Sequence, residues 1–123
     1  VLNQEDLVSC KMFEDSIALG NYDIDIHNPE GGGTSHYYFP EGQYYSIPYR
    51  SLLPKEIRNL LVAGRCISET HEAQASTRIL PIVCCLGEAA GLAASLAVKK
   101  SVSPKEVEID ALHGLLKKNG AMY

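Results

Sequence analysis

The residues best suited to chemistry lie between Arg50 and Cys85. A long apolar helix is predicted from about Pro81 to Lys100, and its start is unusual. Pro81 suits the first helical position, but Leu80 before it has no side-chain oxygen, so the N–H groups of Ile82, Val83 and Cys84 lack a local acceptor. An uncapped helix start carries about half a unit of positive charge and can hold an anion. Water or a neighbouring carbonyl would satisfy the same donors, and the residues alone leave both alternatives open. His71 and Arg78 flank the polar loop before this helix, either as functional groups or as a surface histidine and a structural arginine. Arg50 follows a tyrosine-rich strand and could grip a substrate carboxylate with both arms of its guanidinium, or form an ordinary salt bridge. Cys66 and His71, five residues apart with no second ligand pair, make a poor zinc site, and no metal is expected.

The four cysteines show no C-x-x-C spacing. Cys84 and Cys85 would point about 100° apart on a helix, badly placed to bond each other. Free thiols in a reducing, cytoplasmic compartment are the expectation, with a redox pair as the alternative.

These groups need elements to position them. Asn3 to Phe13 is weakly helical, and "NYDIDIH" alternates with Tyr22, Ile24 and Ile26 on one face, as a strand does. The Pro- and Gly-rich "HNPEGGGTSHYYFPEGQ" predicts a loop or long hairpin connection. Alternation resumes in "YYSIPYR", where Pro48 makes an edge strand or ends it, and Tyr45 and Tyr49 are expected to pack. "LLVAG", Leu60 to Gly64, reads as a short strand buried on both faces. "SETHEAQAST" has room for one helical turn. Ser103, Pro104 and Glu106 spell a capping box, and "DALHGLLKKNG" closes as an amphipathic helix with Asp110 as a cap and Gly120 as a stop. In the long helix Gly87, Ala90, Gly91 and Ala94 share one face, and each glycine costs about 1 kcal/mol against alanine. Close approach of another element would justify that cost.

With 123 residues, 46% of them hydrophobic, the chain suits one small domain or a piece of a larger one, and its start at Val1 favours a piece or a processed terminus. A net charge of -4 with 11 dispersed Lys and Arg argues against nucleic acid. Ile79 to Val98 is long enough to span a membrane, but its Ala and Gly content, Pro81 and the central Glu88 predict a helix buried in a soluble protein, so no membrane is expected. Residues 1–55 are Tyr-rich and extended, too sparse in periodic apolar positions for a core of their own, whereas residues 56–123 read strand, loop, helix, helix.

Several of these segments match a family pattern in order and spacing. "NLLVAGRCIS", "THEA", "STRILP" and "GEAAGLAA" closely resemble the C-terminal flavin-binding segment of a bacterial FAD-dependent oxidoreductase family, and "DSIALGNYDIDIH" and "YYSIPYRSLLP" are similar to it too. The resemblance runs from about Phe13 to the C-terminus. It implies an α/β fold, α+β as an isolated fragment: residues 56–123 as the C-terminal strand and helix portion of a Rossmann-type FAD-binding domain, residues 1–55 as a β-rich piece of a substrate domain. It implies FAD as cofactor, with Gly64 and Arg65 near the ribityl-pyrophosphate chain and Leu80, Pro81, Ile82 and Val83 presenting helix N–H groups to N1 and O2 of the isoalloxazine. It also places His71 and Arg78 near the ring, and the small-residue helix face against the sheet beneath the cofactor. The sequence has no GxGxxG, and "EGGGTSH" is neither that fingerprint nor a P-loop. The pyrophosphate cradle would therefore come from the remaining FAD-binding domain as partner. A small-molecule substrate, an inactive isolated fragment and self-association through unpaired apolar surface follow. The contrasting expectation is a noncatalytic structural or oligomerisation module whose small-residue helix packs on a partner.

Overall fold

The computed structural model describes residues 1–27, 31 and 33–123, so part of the Gly-rich stretch at 28–33 lies outside the described residues. Four helices, α1 (Gln4–Val8), α2 (His71–Thr77), α3 (Leu80–Lys100) and α4 (Ile109–Lys118), combine with four strands, β1 (Ser16–Gly20), β2 (Ile24–His27), β3 (Thr34–Tyr37) and β4 (Tyr45–Pro48). The strands form two antiparallel pairs, β1 with β4 and β2 with β3, a mixed α+β arrangement.

Local chemistry accounts for most boundaries. Asn3 and Asp6 form a reciprocal capping box that starts α1, shorter than the sequence pattern suggests. β4 ends at Pro48, which has no N–H to continue a ladder. α2 runs for seven residues from a Thr70 cap, longer than the single turn expected. The Ser103–Glu106 capping box forms as expected, but it starts only a 3₁₀ turn, Pro104–Glu106. α4 begins without a side-chain cap, and Asp110 lies inside its first turn. Its end follows the expected pattern: Gly120 takes φ +79°, and the N–H groups of Gly120 and Ala121 bond the carbonyls of Lys117 and Leu116.

One core joins the two composition zones. Ile17, Tyr45, Ile47 and Leu52 are buried together with Ile82, Leu86, Leu112 and Leu116. The Tyr49 hydroxyl, its pKa pushed up to about 12 by burial, donates to the Pro104 carbonyl at 2.8 Å and ties the 3₁₀ turn after β4, Tyr49–Leu52, to the C-terminal part.

Two expectations are corrected. Leu60 to Gly64 is not a strand: Val62 N–H bonds the Leu52 carbonyl, no ladder forms, and Leu60 is 41% exposed. A strand of this kind needs a neighbour on each side, and none of the described strands pairs with it. The other concerns α3, which is long and apolar enough to cross a membrane by composition but is covered on one face only. The buried stripe is Ile82, Leu86, Ala89, Ala93 and Ala97, against β1 and α4. Gly87 and Gly91 lie off that stripe in open space, and Ala94 is exposed beside them. The close approach occurs at Gly20 in β1, where a Cβ would lie 2.6 Å from the Tyr45 ring and 2.8 Å from Ile82 Cδ1.

Candidate functional site

The loop around Gly64, the helix α2 and the start of α3 converge. Gly64 holds φ +89°, a conformation that favours glycine, and its missing Cβ would sit 3.7 Å from Val83 Cγ1. Arg65 Nε donates to the Arg78 carbonyl at 2.9 Å, and Gln74 Nε2 donates to the Arg65 carbonyl at 2.8 Å. These two bonds bind the loop to the turn that launches α3.

The helix start is uncapped, as the sequence suggests, though its register differs by one residue. Ile79 occupies the cap position with no side-chain hydrogen bond, and Val83 N–H bonds the Ile79 carbonyl at 3.1 Å. The first turn's outward donors are therefore those of Leu80 and Ile82; Pro81 has none, and Val83 and Cys84 fall within the helical ladder. Leu80 is 68% exposed and Pro81 is exposed, Val83 is half-buried, and the Ile82 side chain anchors the helix in the core. An exposed, uncapped helix start beside a loop whose glycine leaves its backbone uncovered would fit one anionic flank of a flavin. The pyrophosphate fingerprint is absent from the sequence.

His71 and Arg78, at opposite ends of α2, line one cavity of about 100 Å³ with Gln74, Ala75, Asp25 and Ile26. Asp25 faces Arg78 Nη2 at 3.9 Å and His36 Nε2 at 3.4 Å. Asp25 and His36 are direct cross-strand partners in the β2–β3 register, which puts both on one face of that hairpin. The sequence reading missed both residues: Asp25 was visible only as the polar phase of an alternating strand, and its pairing with His36 requires the register. Arg50 stands apart. Its Nη1 and backbone N–H bond the two carboxylate oxygens of Asp15 at 2.5 and 3.1 Å, its guanidinium lies 4.8 Å from the Phe13 ring centroid, and it lines a different cavity with Lys11. It is thus engaged as a salt-bridge residue.

Beneath α2 lies a polar cluster that sequence patterns did not reveal. Ser76 Oγ donates to the Tyr22 carbonyl, so it accepts from the Tyr45 hydroxyl at 2.6 Å. Burial holds the Tyr45 pKa well above the usual phenol range; the Ser76 bond opposes the shift and the Glu69 charge adds to it. Glu69 Oε2 accepts from Thr77 Oγ1 at 2.6 Å. Burial pushes the Glu69 carboxyl up to about 7, against the Thr77 hydrogen bond. All four cysteines are free: Cys66 and Cys84 exposed, Cys10 and Cys85 half-buried. The Cys66 thiol donates to the Ala63 carbonyl at 3.3 Å.

A glycine-relieved loop thus meets an uncapped helix start next to a cavity lined by Arg78 and His71. The family model described as FAD dependent oxidoreductase matches residues 1–116, and the chain belongs to this family. No curated protein and no solved structure matches the chain.

Proposed function

We propose that this chain forms the cofactor-closing part of a flavin-dependent oxidoreductase, in which the Gly64–Arg65 loop and the Leu80–Val83 helix start cover one flank of FAD. The carrying observation is their convergence, held by the Arg65 to Arg78 and Gln74 to Arg65 bonds. FAD, when bound, supplies hydride transfer. Gly64 lets the backbone approach the cofactor closely, and the Leu80 and Ile82 N–H groups would favour negative charge beside them. Arg78 would orient an anionic group of a small-molecule substrate in the cavity it shares with His71, whose ring nitrogens offer a hydrogen bond there.

The pyrophosphate cradle, absent from this sequence, would come from the remaining FAD-binding domain, with which the 60–64 segment and the outer face of α3 complete a Rossmann-type layer. A cytoplasmic location accords with the four free thiols. The 123-residue chain alone should then be colourless and inactive. Flavin fluorescence titration tests this: feeble binding is the expected outcome, and a yellow purified chain with stoichiometric flavin would overturn it. The open Gly87 and Gly91 face also suits a noncatalytic packing module. A GxGxxG following a strand elsewhere in the same gene decides for the enzyme, and its absence for the module.

A further inference from the structure

Glu69 is a titratable group that the cofactor-facing residues leave unused. It bridges to Leu2 through its backbone and immediately precedes Thr70, the cap of α2. Its side chain turns beneath the helix, where Oε2 meets Thr77 in the last turn. Oε1 is buried with no hydrogen-bond partner among the described residues. A carboxylate offers about four acceptor sites, and a single hydroxyl satisfies few of them. Leaving a charged oxygen buried and unmet is expensive, whereas a neutral acid costs far less.

We propose that Glu69 is a positioning residue that holds α2 as a neutral acid, so that loss of its proton loosens the seating of His71 and Arg78 at the two ends of that helix. Its raised pKa, near 7, agrees with the geometry. The titratable group facing it from β4 is the Tyr45 phenol. On the other elements packed against α2, Asp25 of β2 faces Arg78 and His36, and the Asp6 carboxylate of α1 accepts from the Asn3 N–H and pairs with Lys11. Burial dominates the upward shift of Glu69, and the Thr77 hydrogen bond opposes it.

The sign follows from linkage. The folded state keeps the proton up to about 7, while an unfolded chain releases it at about 4.3, so this contribution to stability falls as pH rises between those values.

Two measurements on the 123-residue chain test the proposal. Carbon-13 titration of the Glu69 carboxyl should give a midpoint near 7; a midpoint near the ordinary carboxylate value would overturn the idea. Amide exchange of α2, corrected for the intrinsic pH effect, should accelerate by about tenfold between about pH 5 and 8. That acceleration should vanish in Glu69→Gln, which retains the acceptor for Thr77, while Glu69→Ala should lose α2 protection at both pH values. An identical pH response in the wild type and Glu69→Gln, or full α2 protection in Glu69→Ala, would also sink it. Should Glu69→Gln fail to fold, the wild-type titration decides alone. Neither measurement involves flavin, so this proposal and the cofactor assignment stand or fall separately.

Discussion

Two glycines show how differently the same residue type can be used. Gly20 lies where β1, the Tyr45 ring and Ile82 meet, and the Tyr45 hydroxyl is tied to Ser76, so the ring cannot swing away. Gly20→Ala should therefore lower stability by about 1–3 kcal/mol, the usual cost of overpacking, seen as a lower urea midpoint with an unchanged slope. Gly64 meets no clash, since its added Cβ would make only ordinary contact at 3.7 Å from Val83. Its cost is conformational, because φ +89° disfavours any residue with a Cβ. Gly64→Ala should cost about 1–2 kcal/mol in thermal denaturation, and, if the proposed cofactor contact holds, it should also weaken FAD binding once the remaining FAD-binding domain is supplied. A stably folded Gly64→Ala variant with unaltered FAD affinity in that complex would remove Gly64 from the proposed contact.

Among the elements, those governed by local chemistry were legible in the sequence and those governed by distant partners were not. Alternation placed Ile24 and Ile26 in β2, Pro48 ended β4, and Gly120 ended α4, because each signal acts within a few residues. β3 was hidden inside a loop-like stretch, since Thr34–Tyr37 has a polar, mostly exposed pattern and depends on pairing with β2. The candidate site divides the same way: the uncapped α3 start was visible, whereas Asp25, His36 and Glu69 depend on register and burial that no local pattern encodes. The face of α3 bearing Gly87 and Gly91 was recognisable as small, but the bulkier Ile82 and Leu86 set which face is buried in this chain. A consequence can be measured. Since nothing lies within 4 Å of a Cβ at either glycine, Gly87→Ala and Gly91→Ala should each stabilise the 123-residue chain by about 1 kcal/mol through helix propensity. A loss of stability instead would mean that this face is already packed in solution.

For the whole molecule, the balance between covered and uncovered apolar surface matters most. The core spans both composition zones, yet Leu80 at 68% and Val98 at 79% exposure stand at opposite ends of the outer face of α3, and Leu60 opens an unpaired apolar run nearby in sequence to α2. Uncovered apolar side chains along one helix favour association when no partner covers them. If the remaining flavin-binding domain normally does so, the 123-residue chain should self-associate as its concentration rises, which light scattering would report as a rising mean mass. Val98→Lys is the sharper probe. Val98 lies outside the buried stripe, near the end of α3 where Lys99 and Lys100 already face the negative pole of the helix, so a lysine there suits the folded chain. The variant should keep the wild-type melting temperature at low concentration and shift association to higher concentration. A wild-type chain that stays monomeric throughout, or a Val98→Lys chain that associates as readily as wild type, would show that this face needs no cover.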